Sequence, residues 1–144
     1  MNGKIFVDTW GWLAIGHRRD SFHGAVKEHY QKLRKEHCEF FTSEYVIDET
    51  ITLIFRREDY LEAIHFIENG IFRAAEEEGH LTIDKITDNR FTSAWQLRKQ
   101  FNDKPLISFT DITSMVIMKE RGIRLIFTQD EHFTHVGMDF QIVP

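Results

Sequence analysis

The feature that most constrains this chain is an unbroken apolar run, Ile5-Phe6-Val7, closed by Asp8 and followed at once by a helix-like segment. An apolar run bounded by polar residues reads as a strand buried on both faces, as in a parallel sheet. Ligands of open parallel sheets bind just beyond the carboxyl ends of the strands. Asp8 is expected there. The pattern returns near the C-terminus, where residues 123–128 read as a second apolar strand and Asp130 follows. One such aspartate in isolation would read as a turn residue. Two independent strand ends that each deliver one are a stronger observation.

Between these runs, strands alternate with helices. Residues 9–16, with Trp10, Trp12, Leu13 and Ile15, predict a short apolar helix, and residues 21–37 a longer one. A strand around Phe40 and Phe41 comes next, then a helix over 44–57 with Ser43 as its N-cap. Asp59 is placed to cap another helix running to about residue 78, with Tyr60, Ala63, Ile64, Phe66, Ile67 and Ile71 facing inward. Gly79 stops that helix. Leu81 and Ile83 alternate with polar residues, as in an edge strand. Helices over 88–101 and 109–121, a stop at Gly122, and a last strand over 140–143 complete the chain. This alternation predicts an α/β fold, a parallel sheet with helices on both faces. At 144 residues one domain is expected, large enough to bury roughly 68–70% of its unfolded surface.

The formal net charge is -5, which argues against a polybasic protein held to nucleic acid mainly through phosphates. It does not exclude a nuclease, whose metal-binding carboxylates themselves push the count negative. Cys38 is the one cysteine, so neither an intramolecular disulfide nor a cysteine-based zinc finger can form. No run approaches the ~18 apolar residues of a membrane span, and residues 1–7 are too short for a signal peptide. A soluble, cytoplasmic protein without membrane contact is expected. Neither a Gly-x-Gly-x-x-Gly nor a Walker phosphate loop occurs.

Two further carboxylates are candidates for the same sheet edge. On a helix, Glu49 has Tyr45, Val46 and Leu53 as near neighbours, an apolar stripe. An inward carboxylate needs a partner, a proton or a metal. The plain alternative is a buried salt bridge to an arginine. Asp48 shares its face with Glu44 and Thr52 and reads as solvated. Asp111 follows Ser108 by three residues, which resembles a capping box. Yet Met115 and Met118 lie on its stripe, so cap and site are equally good readings. Together Asp8, Glu49, Asp111 and Asp130 would form an acidic cluster that repels itself unless a cation neutralises it. Oxygen ligands without cysteine suit Mg²⁺ or Mn²⁺. His132 and His135 are read as loop residues rather than zinc ligands, having no third ligand marked nearby.

Val7-Asp8-Thr9, Glu49-Thr50, Ser108-Phe109-Thr110-Asp111, and Thr128-Gln129-Asp130 with Phe133 resemble, in this order, the acidic motifs of the PIN-domain nucleases, and more narrowly the small bacterial VapC-type toxins. The resemblance spans nearly the whole chain. It implies a sheet of about five mostly parallel strands sandwiched by helices. It also implies metal-dependent hydrolysis of RNA phosphodiesters, by water activated at the metal since no separate general base stands out. By motif match Asp8, Glu49, Asp111 and Asp130 would be the catalytic metal ligands, with Thr9, Thr110 and Thr128 as supporting polar groups. The implied partners are an RNA substrate, a small antitoxin and a second copy of the chain in a homodimer. Trp10 and Trp12 depart from the pattern, which usually has small or aliphatic residues there. They are expected to pack against the second helix rather than stack on a base.

Two other function classes compete. An aspartyl-nucleophile phosphatase of haloacid-dehalogenase type normally places another aspartate two residues after the first, where this chain has Trp10. A non-catalytic PIN-like module would bind RNA or a protein without turnover. Arg18-Arg19 and Arg56-Arg57 are surface arginines by default. If the helix over 44–57 is continuous, Arg56 lies closer to the face of Glu49 and is the better phosphate contact.

Overall fold

A computed structural model describes residues 3–144. Strand β1 (Lys4–Val7) leads through Asp8 into helix α1 (Thr9–Gly16), followed by α2 (His23–Lys35). Strand β2 (Glu39–Ser43) and helix α3 (Glu44–Arg57) come next. Then follow α4 (Tyr60–His65), a π-helical stretch (Phe66–Phe72), α5 (Arg73–Glu76) and β3 (Leu81–Asp84). Helices α6 (Asp88–Gln100) and α7 (Phe109–Arg121), strand β4 (Leu125–Phe127), a 3₁₀ turn (Glu131–Phe133) and β5 (Gln141–Val143) end the chain.

The five strands form one sheet in the order β3-β2-β1-β4-β5, and every pairing is parallel. β1 is the central strand, and its Ile5, Phe6 and Val7 are buried. That position explains an apolar run with no alternation. Successive residues of β2 show the two covered faces. Phe40 meets Tyr30 of α2 edge-on at 4.7 Å, whereas Phe41 lies under the Arg121 guanidinium at the end of α7, also 4.7 Å from the ring centre. From β1 the chain steps outward to β3, then returns past β1 to lay down β4 on the other side. The strand order therefore reverses between β1 and β4. A crevice opens at such a reversal beyond the carboxyl ends, where Asp8 and Asp130 stand.

Local chemistry accounts for the helix ends. The Ser43, Thr87 and Ser108 hydroxyls each accept the backbone N–H three residues on, at 3.2, 3.3 and 3.0 Å. Gly122 closes α7 in the left-handed region, φ 69°. Trp12 is fully buried, donates its indole N–H to Thr42 Oγ1 at 3.2 Å and meets Tyr30 of α2 edge-on. Trp10 packs on Phe22 just before α2, ring centres 5.8 Å apart. Both tryptophans are thus packing residues, as expected.

Some expectations are corrected. Asp59 stands at the start of α4 but its side chain makes no cap bond. The expected single helix from Asp59 widens into π turns around Gly70, a residue that weakens a regular helix. Tyr60, placed inward from the sequence, is 70% exposed, whereas Ala63, Ile67 and Ile71 are buried. Among the described residues no helix is long and apolar enough to cross a membrane.

Candidate active site

The site is built on the ends of β1 and β4. The Asp8 N–H donates to the Phe127 carbonyl at 3.2 Å, continuing the β1–β4 ladder by one step. The Asp8 carbonyl then accepts the Trp12 N–H at 3.1 Å and starts α1. Its side chain makes no cap bond to α1 and is left for other work. The next helical turn must lie almost on the sheet. A Cβ at Gly11 would sit 2.8 Å from the Phe127 carbonyl oxygen and 3.1 Å from Val7 Cγ1. Only glycine fits there without displacing backbone.

Asp8 is 5% exposed. The Thr128 hydroxyl, itself fully buried, donates to Asp8 Oδ2 at 3.0 Å and accepts the Asp130 N–H at 3.0 Å. One threonine therefore ties the two strand-end aspartates together. Asp130 Oδ1 in turn accepts the His132 N–H at 2.9 Å, folding the loop back on itself. His132 Nδ1 lies 3.0 Å from the same oxygen, without hydrogen-bond alignment. Asp111 arrives from the first turn of α7. One ligand atom each from Asp111, Asp130 and His132 lie within 4.8 Å of one another.

The electrostatics follow from this crowding. Burial pushes the Asp8 carboxyl up to about 6; the Thr128 hydroxyl and Thr9 N–H oppose the shift, and the charges of Asp130 and Glu49 add to it. Burial pushes Asp111 up to about 8, with the charges of Asp8 and Asp130 next in importance. Asp111 therefore holds a proton near neutrality, whereas Asp8 does so only in mildly acid solution. The Thr9 hydroxyl beside Asp8 is buried and has no partner. Buried polar atoms are nearly always paired, so this orphan marks a place where a ligand oxygen or water belongs. Carboxylates with raised proton affinity and an orphaned hydroxyl fit a hard divalent cation.

The sequence-predicted residues divide. Asp111 and Asp130 converge with His132, and Asp8 joins them through the Thr128 bridge and through its charge at Asp111, with Thr9 beside it. Glu49 is exposed rather than buried, which corrects the inward reading. The buried face of α3 is Val46, Ile47, Thr50 and Ile54, whereas Tyr45, Glu49 and Leu53 stand at its edge. Glu49 nonetheless reaches the site from the rim, since its charge is felt at Asp8. Thr110 lines a cavity with Glu49. His132 is the residue that sequence reasoning set aside. Its signal was the Asp-x-His spacing, which an Asx turn closes into one site. His135 is not part of the group around Asp111.

A parallel sheet with carboxylates gathered at its switch point defines an α/β class in which the site, rather than the sheet, sets the chemistry. Within that class, residues 5–138 match the PIN-domain family model, and the chain belongs to the PIN-domain family. It is 28% identical over 133 residues to the 23S rRNA-specific endonuclease VapC20 of Mycobacterium tuberculosis, covering 92% of this chain and 94% of that protein. The crystal structure of VapC20, a sarcin-ricin loop cleaving toxin, superposes with a TM-score of 0.76 over 92% of this chain and 95% of that one. VapBC2 from Rickettsia felis, bound to a promoter DNA fragment, gives 0.71 at 12% identity, over 98% and 99% of the chains. FitAcB from Neisseria gonorrhoeae gives 0.68 at 15% identity, over 97% and 96%. The last two bear on the fold alone.

Proposed function

We propose that this protein is an endoribonuclease of VapC type that hydrolyses RNA phosphodiesters with Mg²⁺ or Mn²⁺, and that it is the toxin of a toxin–antitoxin pair. The observation that carries the reading is the gathering of Asp8, Asp111 and Asp130 at the β1–β4 reversal, with the carboxyls of Asp8 and Asp111 pushed up by burial and by their neighbours' charges. The similarity to VapC20 supports RNA as the substrate class. A divalent cation in such a centre supplies Lewis acidity toward a phosphoryl oxygen and makes water acidic enough to act as a nucleophile near neutral pH.

The chain's own residues divide the work. Asp8, Asp111 and Asp130 would hold the cation, with His132 as a fourth donor and Glu49 at the rim. Thr128 holds Asp8 ionised and fixes the Asp130 backbone. Thr9 and Thr110 offer hydroxyls toward the site. Arg56 is exposed and makes no ion pair among the described residues, which suits a phosphate contact. Arg18 and Arg19 are engaged, with Glu62 at 3.8 Å and the Arg57 carbonyl at 3.3 Å. With a net charge of -5, substrate binding leans on the cations and a few arginines rather than a basic face. A small antitoxin partner and a homodimer belong to the same reading.

The test is cleavage of a mixed RNA pool by purified protein with Mg²⁺, Mn²⁺ or EDTA, beside Asp8→Asn. Cutting that needs the metal and vanishes in the variant supports the nuclease. A folded wild type that neither cuts RNA nor binds either ion would overturn it.

A further inference from the structure

The outer edge of α3 carries a feature the reaction does not use. Tyr45, Asp48, Glu49, Thr52 and Leu53, with Thr110 of α7, line a cavity of ≈ 360 Å³. The α3 residues recur at three- and four-residue steps and so share one stripe. Glu49 belongs to both the cavity and the acidic centre, since its charge reaches Asp8. Thr110, which also lines the cavity, directly precedes Asp111 in α7, so the cavity adjoins the acidic centre.

The polar groups offered there are mainly acceptors. The Thr52 hydroxyl spends its proton on the Asp48 carbonyl at 3.1 Å, leaving only lone pairs for a ligand. The Asp48 carboxylate is exposed and makes no ion pair among the described residues; ionised, it accepts only. A carboxylate beside a polyanion is repulsive unless a donor edge meets it. The half-buried Tyr45 ring has no aromatic partner among the described residues and is free to stack. Among the four bases, guanine alone presents two adjacent donors on its pairing edge, N1–H and N2–H, which match the two oxygens of one carboxylate. Uracil presents one N–H between two carbonyls. Adenine and cytosine present an amino group beside an acceptor nitrogen.

We infer that this cavity is a nucleobase subsite selecting guanine beside the scissile phosphate, with Tyr45 stacking on the base and Asp48 accepting from N1–H and N2–H. The inference rests on the RNA-cleaving reading and gives it a specificity.

Two measurements keep the readings apart. In the first, ends produced from a mixed RNA pool with Mn²⁺ are mapped. Wild type is expected to enrich guanine over uracil about tenfold or more at one position flanking the cut. Asp48→Ala is expected to lose that ratio. Tyr45→Leu should weaken binding about tenfold for every base, whereas Tyr45→Phe, which keeps the ring, should not. In the second, wild-type protein in EDTA is titrated with the labelled tetranucleotides U-U-G-U and U-U-U-U. The guanine strand is expected to bind about tenfold tighter, a difference that Asp48→Ala erases. Metal-dependent cutting without base preference, or a preference unchanged in Asp48→Ala, would overturn the subsite and leave the nuclease standing. Guanine-selective binding without any cutting would do the reverse.

Discussion

Thr128→Val tests how the site holds Asp8. Thr128 is fully buried, donates to Asp8 Oδ2 at 3.0 Å and accepts the Asp130 N–H at 3.0 Å. Valine keeps the shape and deletes both bonds. A hydrogen bond to a charged acceptor contributes about 1.5–3 kcal/mol. Asp8 already titrates at about 6, with the Thr128 bond the largest influence opposing burial. Losing it should raise the proton affinity of Asp8 by about ten- to a hundredfold. At pH 7 the wild-type carboxyl is roughly nine-tenths ionised, and the variant's would be about half to nine-tenths protonated. A cation must then displace a proton. Calorimetric titration with Mg²⁺ between about pH 6 and pH 9 should show the variant's binding curve displaced by about one to two pH units to the alkaline side. Thr128→Ser, which keeps the hydroxyl, should follow wild type. A folded Thr128→Val with wild-type Mg²⁺ affinity across that range would refute the role assigned to this hydroxyl.

Three further outcomes are expected. Asp8 has its carboxyl raised in the fold, so its contribution to stability is full below about pH 4 and is lost as pH rises through about 6. In EDTA, urea unfolding of Asp8→Asn relative to wild type should therefore improve by about 2–3 kcal/mol between pH 4 and pH 8, and an unchanged difference would contradict the burial of that charge. Gly11→Ala should lower stability by about 1–3 kcal/mol, because the new methyl meets the Phe127 carbonyl at 2.8 Å and its overpacking outweighs the gain in helix propensity; thermal melts decide the sign. His132→Ala should weaken Mn²⁺ binding about tenfold or more while affecting Mg²⁺ less, since imidazole suits the softer ion; equal losses for both ions in parallel titrations would make His132 a loop residue only.

What could be read ahead of the structure depended on how many faces an element buries. β1 and β4 are covered on both sides, so their apolar runs were unmistakable, and the aspartates just beyond them were placed correctly. Glu49 was misread because an amphipathic helix has an edge. Tyr45 and Leu53 look apolar in sequence, yet they flank a cavity, and the buried stripe runs one residue further on, through Val46, Thr50 and Ile54. Phe91 and Trp95 show the same ambiguity on α6, where Ala94 is the buried residue and both rings are about half exposed, at 48% and 52%. His132 reads as a loop residue in the sequence for another reason. Its position depends on Asp130 accepting an amide two residues on, a loop geometry that hydrophobic periodicity does not encode.

Asp111 shows why cap and site were not rival readings. Ser108 takes the Asp111 backbone N–H at 3.0 Å, so the serine satisfies the orphan donor of α7. The Asp111 carboxylate, still within reach of the Ser108 hydroxyl, turns toward Asp130 and His132. A helix N-terminus favours a negative charge by about 0.3–1 kcal/mol. Here burial and two neighbouring carboxylates overcome that preference and lift Asp111 to about 8. The centre is thus short of positive charge even with a helix end pointed at it. A divalent ion would correct the deficit, and the same deficit makes the protein alone reluctant to ionise Asp111 at neutral pH. Metal affinity should therefore rise steeply with pH, and protons should be released on binding, a quantity that calorimetry in buffers of different ionisation enthalpy measures directly. Release of less than about one proton per ion near pH 7 would mean that Asp111 is already ionised and that the crowding described here is relieved by some other group.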